Sequence, residues 1–589
     1  MNILNINKVI ENMDIDFYIN RIAYMLNTTS DEILKRYEKG YIANLIANMI
    51  LNRNLDEDVD LFNHPENYFT NPYDLTNAEE AAKLIYKFCT NKDAYIYIYA
   101  DYDADGLTSG YTAYNALFDV SNCAGIDVHF PERSEGYGLS MEFCKEIVEK
   151  HKDNPSNVLV MTVDNGITKI DEVKYLKDNG IEVLITDHHT SKEEVPNCLI
   201  VNPHNNTIQQ EDTFKHLCGC GVAFKVLFIL QDMFDNNQMY KYLPYLCIST
   251  ISDVMPLSKE NMAIIQYGLS AFNSDDCPPA IRVLANKESI DIITAETIGW
   301  IIAPMLNACG RLGQINYAVD FLFEQDSSYV EDIVNKVYSI NDKRKRMTKN
   351  AKNQLDGYNT DDNVFIMNSS KFEAGILGII AGEAVKRFNK PAIVVTPAKE
   401  KELHGSIRSI PGLNIIPILQ QLKDQNLITE FGGHPEAAGI FFNQDNIPAI
   451  KEMFNKVISI EEPSDEQQVE TKEFTVDNFI ELDDINNIIL AASTIIPTDG
   501  KTYGYPIFEV LNCELKDFKC YPSGYLELTV KQNNYFVDMP CIGLSEKFLN
   551  EILPSLDQKD DKKIHVIGTI TKHFKNKKYT LNVKDIKVS

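Results

Sequence analysis

The chain has 589 residues, 44% of them hydrophobic, and a formal net charge of −29, so it exceeds one ordinary domain and three or four are expected. That acidity argues against a protein that coats DNA non-specifically, which needs positive surface, but not against an enzyme that threads a strand through a local basic groove. Twelve cysteines without a C-x-x-C pair argue against a disulfide framework or structural zinc. The start, MNILNINKVIENMDID, lacks the basic flank and apolar core of a signal peptide, and no apolar run is long enough for a bilayer, so a cytoplasmic, reduced protein with no membrane partner is expected.

Residues 1–85 carry helical patterns at 11–26 and 77–88 around a polar, Pro-containing stretch; they read as a helical lead-in without chemistry. Residues 94–100, rich in Tyr and Ile, read as a buried strand that runs into Asp101, Asp103, Asp105 and Gly106. If the extended geometry persists, alternate side chains share a face and the three carboxylates converge. Core packing has no use for such a group. Uncompensated carboxylates repel, so a hard cation, Mg²⁺ or Mn²⁺, is the natural counterpart.

From 94 to about 260 the pattern alternates strand and helix. Residues 158–163 and 182–187 are short apolar runs without two-residue alternation, as in a parallel sheet covered on both faces, and the helical patterns at 141–151 and 169–180 supply crossovers. Ligands of such sheets bind beyond the carboxyl ends of the strands. There the second strand delivers Asp164 in Val163-Asp164-Asn165-Gly166, and the third delivers Asp187, His188 and His189. Asp253 follows an apolar helix or strand within 245–257. Two divalent ions about 3.5–4 Å apart need a shared carboxylate with others around it, and such a pair activates water and neutralises a phosphoryl group. An imidazole such as His188 favours Mn²⁺ without excluding Mg²⁺. No Ser-His-Asp order or nucleophile elbow supports a covalent alternative.

The apolar segment 296–313 closes on Gly310-Arg311, where a guanidinium fork could clamp phosphate oxygens. Residues 316–355 read as one long helix with a basic cluster at 341–350, either a solvated face or the flank of a nucleic-acid path. A second α/β unit spans 364–456, with strands at 364–367 and 392–395 separated by a helix at 375–388. It holds two Gly-rich polar motifs, one with Ser406 and Arg408, the other ending in His434. Either suits a phosphodiester backbone or, more plainly, a glycine-rich turn beside a core histidine. Residues 461–473 are an acidic linker, and four alternating strand patterns from 507 onwards suggest a small β-barrel, with the oligonucleotide-binding form one option.

DYDADG, VDNG, DHH, GCGVAFK, SDVMPL, PMLNACGRLG, GSIRS and GGHPEAAG occur here in the order seen in the DHH phosphoesterases. Over about 75–445 the chain resembles the RecJ-type single-strand exonucleases of that family. The resemblance implies an α/β fold: a parallel-sheet DHH domain (86–315), a connecting helix (316–355), a smaller DHHA1 domain (356–460), the acidic linker (461–473) and an OB-like barrel (474–589). It implies 5′-to-3′ hydrolysis of single-stranded DNA to 5′-mononucleotides with two divalent cations, Mn²⁺ favoured. Asp103, Asp105, Asp164, His188 and Asp253 would then ligate metal, with Asp164 bridging, while Asp101, Asp187 and His189 would be catalytic or supporting members. Arg133 would meet a 5′-phosphate, and Arg311, Ser406, Arg408 and His434 would hold neighbouring phosphates. Expected partners are single-stranded DNA and replication or repair proteins such as a single-strand-binding protein, with the chain a monomer. Phe372, Glu373 and Glu383 stand where the family has Trp, His and Arg, which marks a divergent member and suggests a bacterial virus as its source. Two other readings stay open: a phosphodiesterase for short oligoribonucleotides or cyclic dinucleotides, and a replication or repair scaffold without activity.

Overall fold

The computed structural model describes residues 3–356, 358, 361–399, 401–458, 475–498, 504–521, 525–558, 562–572 and 578–589. The expected linker at 461–473 lies outside them. A parallel sheet holds β1 (Tyr95–Tyr99), β2 (Gly125–His129), β3 (Val158–Val163), β4 (Glu182–Thr186) and β5 (Leu199–Val201), in the order β2-β1-β3-β4-β5. Side chains alternate between two cores: Ile96, Ile98, Met161, Val163 and Leu184 face one layer of helices, and Tyr97, Tyr99, Val160, Val183 and Ile185 the other. Burial on both faces removes the two-residue polar alternation of a half-exposed strand.

This strand order has a consequence for ligands. The connection out of β1 runs to β2 on one side, while β3 lies on the other, so the sheet switches direction between β1 and β3. A crevice opens at the carboxyl ends of those two strands. Asp101 follows β1 and Asp164 follows β3.

The smaller sheet contains β6 (Phe365–Asn368), β7 (Ala392–Lys399), β8 (Glu402–Arg408), β9 (Glu430–His434) and β10 (Ala437–Asn443), in the order β6-β7-β8-β10-β9. Only the β6–β7 pair is parallel, and the remainder are antiparallel. Both polar Gly-containing motifs lie on strands, Ser406 and Arg408 on β8 and His434 at the end of β9, rather than on glycine-rich turns. The single helix expected over 316–355 is two, Ile315–Phe323 and Ser327–Asn353. Asp326 restarts the second by accepting a hydrogen bond from Ser328 N at 2.9 Å, as an N-cap does.

A short β11 (Asn478–Phe479) leads to β12 (Phe508–Cys520), β13 (Tyr525–Gln532), β14 (Tyr535–Ile542), β15 (Lys563–Lys572) and β16 (Tyr579–Val588). These last five close in the order β12-β13-β14-β16-β15-β12, with a helical segment at 545–557 between the third and fourth barrel strands. The barrel is OB-like. It is docked, not tethered: Lys572 Nζ donates to Ser289 O at 2.9 Å and Tyr579 Oη to Asp291 Oδ2 at 2.8 Å. The segment before it packs on the N-terminal helices, where Arg53 and Asp477 form a buried ion pair of 2.7 Å. Among the described residues no helix is long and apolar enough to cross a membrane.

Candidate active cleft

The aspartates after β1 meet their partners by a route other than strand alternation. The extended backbone ends near Asp101. Asp103 is the N-cap of helix Ala104–Phe118, its Oδ1 accepting from Gly106 N at 3.0 Å, and Asp105 sits in the first helical turn. The helix needs the chain to fold back over β1: a Cβ on Gly106 would lie 2.5 Å from the Asp101 carbonyl. Turning the backbone separates the carboxylates. Asp101 and Asp103 gather with Asp164, whereas Asp105 gathers with His188 and Asp253.

Asp105 is held from every side. Its Oδ2 accepts from Gly219 N at 2.8 Å, and its Oδ1 from Cys220 N at 2.9 Å, from Ser109 Oγ and from Ser249 Oγ. Gly219 and Cys220 open helix Gly219–Met233, whose free N–H groups and dipole favour a carboxylate there. Asp164 occupies the tight turn after β3 with φ 62°, a left-handed conformation that Asp tolerates better than most residues. Asn165 pins this turn by donating to Val163 O at 2.9 Å and Tyr99 O at 3.1 Å. A Cβ on Gly219 would lie 2.3 Å from Asp164 Oδ1, so only glycine lets the helix end approach so closely.

After β4, Asp187 Oδ1 accepts from the backbone of His188 at 2.7 Å and of His189 at 3.1 Å, and lies 2.7 Å from His189 Nδ1. Burial would raise the Asp187 carboxyl, but the attraction and hydrogen bond of His189 hold it below its ordinary value. Burial likewise opposes charge on His189, yet Asp187 lifts it to about 9. His188 goes the other way: burial, then the neighbouring His189, lowers it to about 4, leaving a neutral imidazole of the metal-binding kind. Its Nε2 lies 3.2 Å from Asp164 Oδ1, 3.7 Å from Asp253 Oδ2 and 3.9 Å from Asp105 Oδ2.

Asp253 caps the C-terminus of helix Leu243–Ser252, which settles the local state of that apolar segment, and is followed by Val254 at φ 53°. That backbone is costly for a β-branched residue. Burial, then Asp105 and Asp103, raises the Asp253 carboxyl to about 8. Burial and neighbouring carboxylates also push Asp101, Asp103 and Asp164 upward. Asp101 Oδ1 and Asp164 Oδ1 are buried with no hydrogen-bond donor. Orphaned carboxylate oxygens among repelling neighbours are what a divalent cation would satisfy, and a donor set of three clusters, with Asp164 and His188 each belonging to two of them, fits two such ions.

Guanidinium groups face this acidic floor. Arg133 lies over the Tyr102 ring at 5.0 Å. Arg311, ending helix Ala303–Arg311, donates to Gly375 O of the smaller domain at 3.0 Å, and a Cβ on Gly375 would collide with the Arg311 backbone. Burial lowers Arg311 to about 10, assisted by repulsion from Arg133, Arg344 and Arg408. Arg408 donates to Ser406 Oγ at 3.1 Å. His434 stacks on His189 with ring centres 5.9 Å apart, so β9 meets the metal-side histidines directly. The structure thus brings all thirteen expected residues to one cleft between two sheets.

Others went unnoticed in the sequence. Tyr137 Oη lies 3.0 Å from His189 Nδ1 and 3.2 Å from Nε2, and it shares the PERSEGYG segment with Arg133. Arg344, whose Nε is buried without a partner, is the member of the basic cluster that turns inward. Asn307 Oδ1 accepts from Ala104 N at 2.9 Å and ties the Arg311 helix to the aspartate loop.

A switch-point crevice lined with carboxylates and imidazoles, faced by guanidinia of both α/β domains and of the helix that connects them, defines a two-domain phosphoesterase. The model of the DHH family, N-terminal domain, matches residues 95–250, and that of the DHHA1 domain matches 361–460. The single-stranded-DNA-specific exonuclease RecJ of Bacillus subtilis is 30% identical over 546 residues, covering 90% of this chain and 66% of the relative. RecJ of Haemophilus influenzae is 30% identical over 414 residues, covering 66% of this chain and 70% of the relative. The structure of RecJ from Thermus thermophilus in complex with Mn²⁺ superposes with a TM-score of 0.69 at 22% identity, over 93% of this chain and 76% of that one. The chain belongs to the RecJ family of DHH phosphoesterases. It spans just under two thirds of the length of its Bacillus relative.

Proposed function

We propose that the chain hydrolyses single-stranded DNA from its 5′ end and releases 5′-mononucleotides, using two divalent cations, Mn²⁺ favoured over Mg²⁺. The observation that carries this reading is the set of acidic donor clusters linked through Asp164 and His188, opposite guanidinia that form no ion pair among the described residues. Asp103, Asp105, Asp164, His188 and Asp253 would hold the ions, and Asp101 lies close enough to Asp103 and Asp164 to join them. When bound, the ions would activate water and neutralise charge on the phosphoryl group.

The chain's own groups do the remainder. Asp187 fixes His189 through Nδ1 and favours its protonated form, so that a proton is held beside the reacting phosphate for the departing 3′-oxygen. Arg311, Arg408 and Ser406 orient the scissile and adjacent phosphates, and Arg133 on its tyrosine platform receives the terminal one. A duplex is excluded if both sheets close on one strand. A digestion time course on a long single strand labelled at either end tests this: mononucleotide should appear first from the 5′ label and only with Mn²⁺ or Mg²⁺. First release from the 3′ label, or equal attack on blunt duplex, would defeat the assignment.

A further inference from the structure

Trp300 is the sole tryptophan of the chain and is 73% exposed. An indole is the largest apolar surface a residue can leave in water, and here it is built into an irregular helix. Ala295–Thr297 leads into a π-helical turn, Ile298–Ile302, and then Ala303–Arg311. Single π turns within α-helices recur at functional sites, because the extra residue rotates the side chains around it.

The rest of this helix shows which way the turn aims. Ile298, Ile302, Ala303, Met305, Leu306, Ala308 and Cys309 are buried, while Trp300, Pro304, Asn307 and Arg311 remain accessible. Those four positions, spaced by four, three and four residues, form one stripe along a helix. Asn307 on it bonds to the aspartate loop and Arg311 to the smaller domain. At the other end, Thr294, Ala295 and Glu296 line a small cavity together with Phe508, Thr569 and Ile570 of the barrel. Gly299, next to Trp300, faces Ile251, two residues before Asp253: a Cβ on Gly299 would lie 3.5 Å from Ile251 Cγ2. Trp300 therefore lies between the barrel and the metal clusters, about 16 Å along the axis from Arg311 on the same face. Half-exposed Val254 follows Asp253 on that side.

We infer that Trp300 is a stacking platform for an unpaired base of the strand on its path between the OB-like barrel and the cleft. The stripe runs unbroken from indole to guanidinium, so a strand whose phosphate sits on Arg311 can lay a base on Trp300. Aromatic stacking accepts every base and suits a site without sequence preference. This inference rests on the proposed single-strand activity, and the test separates the two.

The sole indole is its own probe. In Asp164→Asn protein with Mn²⁺, a long 5′-phosphorylated thymidine oligomer carrying a 3′ fluorophore is titrated while fluorophore anisotropy and tryptophan emission are both followed. Emission should be quenched with the same midpoint as the anisotropy, and one abasic position stepped along the strand should restore it at a single register. Trp300→Ala should weaken binding about tenfold, and Trp300→Phe should stay within about threefold of the parent. A strand that binds by anisotropy, leaves emission unmoved and binds Trp300→Ala as tightly as the parent would overturn the platform alone. No binding of the strand to either the Asp164→Asn protein or the unsubstituted protein in Mn²⁺ overturns the single-strand reading and the platform together.

Discussion

Asp164 belongs to two donor clusters at once and its backbone is left-handed, at φ 62°. Asn tolerates that conformation as well as Asp does, so Asp164→Asn should keep the turn and remove only the shared negative charge. Hydrolysis in Mn²⁺ should then fall by about two orders of magnitude or more, and calorimetry should register fewer bound ions. A variant that binds two ions and cuts at the parental rate would exclude the bridge. The same crowding makes metal-free stability depend on pH. Burial, Asp105 and Asp103 raise Asp253 from 3.8 to about 8, so the folded state holds protons that the unfolded chain has released. Asp101, Asp103 and Asp164 shift in the same direction. Stability from these groups is complete below the unfolded value and falls as pH rises toward 8. Cations relieve that loss, so the rise in Tm on adding Mn²⁺ should be larger at pH near 8 than near 5, by differential scanning fluorimetry. An increment independent of pH would mean the ions bind elsewhere.

At the scale of elements, the strand ends were legible because a buried carboxylate closes each largely apolar run: Asp164 follows 158–163 and Asp187 follows 182–186. Helix packing was less legible. The DYDADG carboxylates read as one strand face, yet the backbone turns after Asp101 and Asp105 enters a helix. Arg344 is one of several basic residues in the 341–350 run, and only packing against the catalytic domain selects it. The break at Asp326 depends on a cap that competes with an otherwise helical pattern. Glu383, where the family has Arg, pairs with Lys352 of the long helix at 2.7 Å and with Arg387 at 2.9 Å, so the divergence became a tie between connector and smaller domain. One small residue at a helix start carries a sharp prediction. Gly219→Ala would put a methyl group 2.3 Å from Asp164 Oδ1, which must move. Its φ is ordinary, so the helix should survive; folding by circular dichroism should be retained while Mn²⁺ affinity drops about tenfold or more. Unchanged Mn²⁺ affinity would show that Asp164 is not confined by this helix end.

At the scale of the whole molecule, the first and last parts of the chain hold each other. The N-terminal helices read as a lead-in without chemistry, but Arg53, after helix Lys39–Asn52, pairs with Asp477 at 2.7 Å with both side chains at most 7% exposed. Asp477 Oδ2 also accepts from Ile507 N at 2.8 Å and its Oδ1 from Asn52 Nδ2 at 3.1 Å, so one carboxylate joins the N-terminal helices to the strand that enters the barrel. Tyr37 and Tyr41 each reach Asp484 at 2.9 Å. One apolar core runs through Ile46, Ile50, Ile489 and Phe508 without a boundary. The barrel is therefore part of the catalytic domain's foundation, and deleting it should expose that core rather than release an active remainder. A gentler probe is the buried pair. Removing one partner strands the other charge, so Arg53→Ala should cost about 3–5 kcal/mol, whereas Arg53→Met with Asp477→Leu should cost much less because both charges go. Urea unfolding followed by far-ultraviolet circular dichroism and by the emission of Trp300, which lies beside the barrel contact, should shift together in Arg53→Ala. Separate transitions, with Trp300 emission unmoved, would show that the chain's two ends fold independently of the catalytic sheet.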